Sequence, residues 1–288
     1  MPTIESLHAL FAARVTGLDL RRGLSADEAA AVCEALDRHS VLVFPGQDID
    51  DEAQLAFSRA IGPLEVTRAG ASGAGGYLLV LTNIGPDGRI APPTDRQVLN
   101  NLANRLWHAD SSFKSVPARA SLLSAREIPR EGADTEFASM RAAWAEMPER
   151  LKARLRGQVA VHDFGWSRSL VAPELVTAAE RADWPPVRQP VVLGGPLGEA
   201  LYLGAHARTI EGMAEEEARA LIEEAMEFAT QPRFVHAHRW RRHDLVLWDN
   251  RAVLHRATPF RSTAERRHMV RTTIAGQGPL LATAAAAE

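Results

Sequence analysis

Leu245-Val246-Leu247-Trp248-Asp249-Asn250-Arg251-Ala252-Val253-Leu254-His255 reads as a strand, a tight turn and a second strand. The apolar run stops at Asp249-Asn250, a pair whose short side chains hydrogen-bond nearby backbone and so favour turns. Met269 to Ala275 supplies another strand close behind. Upstream, short strand-like runs begin at Leu122 and alternate with turns. Helical patterns interrupt them only at about 139–157 and 215–230. The chain has no internal repeat and none of the strand–helix alternation that builds a parallel sheet. The expected fold is therefore mainly β with α: a double-sheet jelly roll, or double-stranded β-helix, flanked by helices. No linker divides the chain, so one domain over 1–288 is expected.

The N-terminal part supplies the flanking helices. Ser25-Ala26-Asp27-Glu28 is a capping box ahead of an alanine-rich helical pattern that runs to about Arg38. Ser40 to Phe44 reads as a buried strand ended by Pro45-Gly46, and Asp51 to Ile61 as a second helix closed by Gly62-Pro63. Both helices are expected to pack on the outside of a sheet. Tyr77 to Asn83 reads as a strand. The stretch 67–76 is rich in Gly, Ala and Ser but lacks the lysine and the strand-to-helix setting of a phosphate loop, so it is expected to be mobile. The stretch 85–104, with Pro86, Pro92 and Pro93, reads as a long irregular segment and a candidate lid.

Composition narrows the function classes. A net charge of −3 over 288 residues gives no electrostatic case for nucleic acid or an anionic membrane as partner, so an anionic ligand must be held by a local cluster. With 46% hydrophobic residues a sizeable core is available. The single cysteine, Cys33, excludes an internal disulfide and suits a reducing compartment. It lies in an apolar helical pattern and reads as a small packing residue rather than a nucleophile. The N-terminus lacks the pattern of a signal peptide and no stretch approaches a membrane span, so a soluble cytoplasmic protein is expected. The alanine-rich stretch 282–287 reads as a frayed tail.

Histidine and carboxylate spacing points to chemistry. In Trp107-His108-Ala109-Asp110, His108 and Asp110 are two apart, so on an extended segment both side chains leave the same face and can bind one metal ion. His255 lies far downstream and must be supplied by a closed fold. Two imidazoles and one carboxylate on one face of an octahedral metal leave three positions open, the arrangement of non-haem Fe(II) oxygenases. A structural zinc site leaves none. Arg267 and Arg271 share a face on a strand, although Arg261, Arg266 and Arg267 also crowd together as an ordinary charged surface does. His206 reads either as a core histidine or as a ligand-facing donor, and His162 falls in a segment of unassigned structure. Asn104 and Trp248 read either as packing and turn residues or as groups shaping a site. His8, His39, His236, His238 and His243 read as exposed or capping groups.

These motifs carry a family resemblance. Leu18-Asp19-Leu20-Arg21, Val41 to Gln47, Leu106 to Phe113, Asp134 to Ala143, Gly204-Ala205-His206-Ala207 and Trp248 to Arg271 span nearly the whole chain. In this order they resemble the Fe(II) and 2-oxoglutarate dependent dioxygenases of the taurine dioxygenase family, with most likeness to its 2,4-dichlorophenoxyacetate branch. The resemblance implies Fe(II), 2-oxoglutarate and O2 as cofactor and cosubstrates, with His108, Asp110 and His255 as metal ligands. It places the distal carboxylate of 2-oxoglutarate on Arg267 and the Thr135 hydroxyl. Arg271 then lies near the metal-bound carboxylate and the substrate anion, and Asn104 and His206 near the substrate. It also makes a homo-oligomer an expectation. The implied reaction hydroxylates a small organic anion, first of all an aryloxyacetate, which then gives a phenol and glyoxylate. Rival readings are the same chemistry on an alkyl sulfonate or sulfate ester, a zinc hydrolase, and a binding protein without turnover.

Overall fold

Every residue of the Leu245–Asp249 strand is buried, and its alternation sets the layers of the molecule. Leu245 and Leu247 pack with Leu42, Phe44 and Leu122 and with Leu36 and Phe57 from two helices. Val246 and Trp248 point the opposite way and pack with Val43, Leu123, Phe137 and Val253. A strand with water on neither face reads as a continuous apolar run, as Leu245 to Trp248 does, and the buried Asp249 at its end is paired with Arg251.

The computed structural model describes residues 2–67, 74–172 and 176–281. Eight of the described strands form one sheet, in the order Thr3–Ser6, Ala13–Thr16, Val41–Phe44, Leu245–Asp249, Ala120–Glu127, His268–Ile274, Leu78–Thr82, Ala74–Gly75. All its pairings are antiparallel except that of Ala13–Thr16 with Val41–Phe44. A second sheet sets Thr135–Ser139 between Val235–His238 and Val253–Ala257. Its residues divide by the same period of two. Phe137 and Val253 enter the cluster shared with the large sheet, while Ala138 and Leu254 pack beneath the Met140–Glu146 and Glu215–Ala229 helices. A third sheet pairs Val159–His162 with Ala207–Ile210 and Val187–Pro190. The result is a mixed α/β molecule in which helices cover the outer faces and the apolar layer lies between sheets. No described helix is long and apolar enough to cross a membrane.

The two N-terminal helices form as their signals predict. Ala26–His39 carries a complete capping box, Ser25 Oγ accepting from Glu28 N and Glu28 accepting from Ser25 N. Asp51–Ile61 is capped by Asp50. Gln54, on its buried face, donates to the Val270 carbonyl at 2.9 Å and accepts from Ser124 Oγ at 2.7 Å, which fixes the helix to the large sheet by polar contacts as well as apolar ones.

Elsewhere the structure departs from expectation. The pattern over 139–157 is two helices, Met140–Glu146 and Glu149–Leu155, because Pro148 between them has no N–H to continue the ladder. The stretch 85–104 is not irregular throughout. Asp95 accepts from Gln97 N and Val98 N and starts the helix Arg96–Leu102, which runs into a tight turn at Ala103–Arg105. His238 is buried rather than exposed, 3.3 Å from the Asp244 carboxylate and edge-on to Trp240. The expectations for most of 67–76 and for 282–287 fall outside the described residues.

Phe137 is fully buried between the sheets, 5.5 Å from the Trp248 ring and stacked at 6.2 Å on His255. Phe137→Ala is expected to destabilise the fold by about 3–5 kcal/mol, the usual cost of truncating a buried phenylalanine. Denaturant unfolding checks this. A loss below about 1 kcal/mol would mean that the sheets do not meet through this ring.

Candidate metal centre

The segment carrying His108 is joined to the Val253–Ala257 strand by the backbone itself. His108 N donates to His255 O at 3.1 Å, and His255 N donates to His108 O at 2.9 Å. This one antiparallel bridge sets two residues far apart in sequence side by side, with ring centroids 4.2 Å apart. Asp110 completes the group, its carboxylate 3.8 Å from His108 Nε2 and 3.7 Å from His255 Nε2. One ligand atom from each of the three lies within 4.8 Å of those from the other two, and all three residues are buried.

The donor set fits a divalent metal. His108 Nδ1 lies 2.7 Å from the Leu106 carbonyl, which can only accept, so this nitrogen carries the proton and Nε2 keeps its lone pair for an ion. Burial pushes the pKa of both His108 and His255 down, favouring the neutral imidazoles that ligate metals. Burial alone would raise that of Asp110. Arg271, then His255 and His108, and the Ser121 hydroxyl outweigh it and hold the carboxylate well below its usual range. Ser121 Oγ donates to Asp110 Oδ2 at 2.7 Å. Asn250 extends this support, donating to Ser121 Oγ at 3.0 Å and accepting from Asp110 N at 3.1 Å and Trp248 Nε1 at 3.0 Å. Trp248 and Asn250 therefore act behind the ligands, whereas Asp249 turns away and pairs with Arg251.

One cavity opens beside His108 and Asp110, and a second adjoins it. The larger, about 220 Å³, is lined by His108, Asp110, Asn104, His206 and Arg271, together with the rings of Phe113, Phe164 and Trp184. The smaller, about 50 Å³, shares Leu81, Asn101 and Asn104 with it and contains Arg267. The Arg267 guanidinium has no carboxylate partner among the described residues, and burial pulls its pKa down to about 10. A cation left in that state calls for an anionic ligand. Thr135 does not line this cavity itself, but its register partner Ala257 does. Thr135 Oγ accepts from Trp240 Nε1 at 2.9 Å, so the hydroxyl proton is free to be donated elsewhere. A wider cleft of about 610 Å³, lined by Arg119, Arg141 and Arg251 and the 193–198 segment, contains none of the ligand residues.

His206 reaches the site because its loop is fixed to the ligand segment. Ala205 N donates to Trp107 O at 2.8 Å. Gly204 has a φ of 140°, and a Cβ there would stand 3.1 Å from the Trp107 carbonyl oxygen. The His206 ring lies 6.4 Å from His108 and 4.9 Å from Phe113, and its buried Nδ1 has no hydrogen-bond partner among the described residues. His162 stands apart from the ligands, stacked on Tyr202 and 3.1 Å from Ser112 Oγ, with burial pulling its pKa down to about 3. Burial raises the pKa of the Cys33 thiol, in keeping with a packing role. Arg168, which no sequence motif singles out, also lines the larger cavity.

Residues 3–273 match the family described as "Taurine catabolism dioxygenase TauD, TfdA family". The chain is 42% identical to an alpha-ketoglutarate-dependent 2,4-dichlorophenoxyacetate dioxygenase of Cupriavidus pinatubonensis, over 93% of this chain and 96% of that protein. It is 36% identical to an (S)-phenoxypropionate/alpha-ketoglutarate-dioxygenase of Sphingobium herbicidovorans, over 95% of this chain and 94% of that one. A solved structure described as AAD-2 in complex with Mn(II) and N-oxalylglycine superposes with a TM-score of 0.90 at 40% identity, covering 98% of this chain and all of that one.

Removing a ligand and removing its support should have different effects. Asp110→Ala is expected to abolish metal binding, whereas Ser121→Ala should weaken metal affinity by about 10- to 100-fold through lost orientation of the carboxylate. Metal titration of the two variants measures both. Unchanged affinity in Ser121→Ala would remove that hydroxyl from the site's support.

Proposed function

The chain belongs to the taurine catabolism dioxygenase TauD, TfdA family, a 2-oxoglutarate-dependent oxygenase that uses Fe(II) and O2, and we propose that its substrate is an aryloxyalkanoate such as 2,4-dichlorophenoxyacetate. In this reading residues 1–288 form one dioxygenase domain, and the two facing sheets are a double-stranded β-helix core with the metal at one end. The observation that carries the substrate reading is the wall of Phe113, Phe164 and Trp184 beside the ligands, in a cavity that also contains unengaged positive charge. Such a wall accepts an aryl ring, and the charge accepts an acid.

His108, Asp110 and His255 would hold the iron, which when bound supplies the oxidising power that a side chain cannot. The protein's part is placement. Arg267 and the free Thr135 proton receive the distal carboxylate of 2-oxoglutarate in the small cavity. Arg271, held at 2.5 Å from Asp110 Oδ1, fixes the carboxylate ligand and presents positive charge to the metal-bound end of the cosubstrate. Asn104 and His206 line the neighbouring substrate space. Cosubstrate and substrate thus occupy joined but separate spaces, and the apolar wall excludes water from the carbon to be attacked. The overall reaction consumes the aryloxyacetate, 2-oxoglutarate and O2, and yields the phenol, glyoxylate, succinate and CO2.

A panel of phenoxyacetates, phenoxypropionates, taurine and an alkyl sulfate ester, scored for succinate and for phenol, tests the reading. An aryloxyalkanoate is expected to be the fastest substrate. Efficient turnover of the sulfonate or the sulfate ester with no phenol from any aryloxy acid would transfer the protein to that other chemistry. Arg267→Met is expected to raise the 2-oxoglutarate Kd by about 10- to 100-fold, the value of a lost charge-assisted pair. An unchanged Kd would displace Arg267 from the cosubstrate cradle.

A further inference from the structure

Four basic side chains line the larger cavity among the described residues: Arg96, Lys114, Arg168 and Arg271. Three of them are already engaged. Arg96 makes two contacts to Glu180 at 2.7 and 2.8 Å, Lys114 pairs with Glu65, and Arg271 pairs with Asp110. Arg168 has neither a carboxylate within pairing distance nor a hydrogen bond from its guanidinium among the described residues, and its Nε is both buried and unpartnered. The carboxylates that act on it from a distance, Asp110 and Glu180, are the two taken by Arg271 and Arg96.

The position of Arg168 is built rather than incidental. It belongs to the short helix Phe164–Ser169, which Asp163 caps by accepting from Trp166 N, and Asp163 N in turn donates to the His206 carbonyl. The guanidinium lies 5.0 Å above the ring of Phe164, one helical turn earlier, and Phe164 packs on Phe113 at 4.8 Å. One turn of helix therefore presents a cation and an aromatic face to the same cavity. Burial, with Arg271 close by, pulls the Arg168 pKa down to about 10, so the protein alone does not compensate this charge.

We propose that Arg168 is the specificity-determining residue that binds the carboxylate of the organic substrate, while the aryl ring lies against Phe113, Phe164 and Trp184. This assignment rests on the aryloxyalkanoate reading for the nature of the anion, but not for its charge. A planar guanidinium offers a carboxylate two parallel hydrogen bonds, and in a site shielded from water these outweigh what the anion made with solvent. Arg271 is less suited to the role because its strongest contact is already spent on Asp110. Arg267 is in the other cavity. Acid and cosubstrate are then kept apart by having separate arginines, and a neutral analogue entering the larger cavity leaves Arg168 uncompensated.

The test compares 2,4-dichlorophenoxyacetate with its primary amide in the iron-loaded enzyme at saturating 2-oxoglutarate, reading kcat/KM for each. The unaltered protein should favour the acid. Arg168→Met should cost the acid on the order of 10- to 100-fold, mainly through KM, and bring the acid-to-amide ratio towards one, while the 2-oxoglutarate Kd stays within about twofold. Arg168→Lys should restore part of the preference, since it returns the charge without the fork. Arg168→Gln keeps a stem against Phe164 and gives the same reading if the methionine variant is unstable. An acid-to-amide ratio that is unchanged in Arg168→Met or Arg168→Gln, or that is near one in the unaltered protein, overturns the proposal. If the unaltered protein converts no aryloxy acid but does convert taurine, the ratio is read for taurine against its sulfonamide. Its collapse in the variant then supports Arg168 as the anion site while the aryloxyalkanoate reading falls, and its persistence overturns both.

Discussion

Two backbone hydrogen bonds, from His108 N to His255 O and from His255 N to His108 O, hold the site together. Side-chain positions follow from them. With the two backbones in antiparallel register, the imidazoles leave the same side of the bridge and Asp110, two residues beyond His108, returns to that side. The rest of the fold makes this bridge possible. His255 is on a strand whose neighbour, Thr135–Ser139, bears Phe137 against Trp248, so the apolar layer between the sheets fixes one partner. The other partner is held by the Gly204 loop, where a close backbone approach and a positive φ favour glycine. A metal site of this kind demands little of any one ligand and much of the scaffold behind it.

Asp110 is the electrostatic counterpart of that bridge. It is a buried carboxylate that stays ionised because Arg271, two imidazoles and the Ser121 hydroxyl face it. Such a group would be costly if any partner were missing, and Asn250 shows how far the compensation reaches: it braces Ser121, takes the Asp110 amide and is itself fixed by Trp248. Around this satisfied centre stand Arg267 and Arg168, buried cations with no carboxylate partner among the described residues, each in its own cavity. Satisfied charge at the ligands and unsatisfied charge at a distance is the pattern expected where the ligands are permanent and the anions are exchanged every turnover.

Much of this was legible in the chain because the physics is local. Ser25 and Glu28 cap a helix whatever lies beyond it, the spacing of His108 and Asp110 places both on one side of an extended segment, and Leu245 to His255 carries its own turn. What could not be read depends on contacts between distant segments. Arg168 sits between Ser167 and Ser169 and resembles a surface arginine. Its only local signals are the Asp163 cap and the spacing of four from Phe164, and neither reveals that the turn faces the cavity beside His108 and Asp110. The helix Arg96–Leu102 was hidden by Pro92 and Pro93 just before it, though Asp95 was a legible cap. Pro148 shows the reverse case, a local signal that outranks a helical pattern long enough to suggest one element.

The walls of the substrate cavity differ in what holds them, and this bears on how a ligand enters. The ligand side is anchored by sheet and buried polar network. The opposite side is built from the Arg96–Leu102 and Ala178–Asp183 helices, joined by the partly exposed Arg96–Glu180 pair, with Lys114 spanning Glu65 and the Trp184 ring. The Arg96–Glu180 pair, with Arg96 half in solvent, contributes about 0–1 kcal/mol, against several for a buried aromatic side chain, so the outer wall is the more weakly held of the two. Trp184 belongs to that wall, whereas Phe113, three residues beyond Asp110, belongs to the ligand segment. A ring entering the cavity would therefore meet one aromatic face on the ligand segment and another on the more weakly held wall.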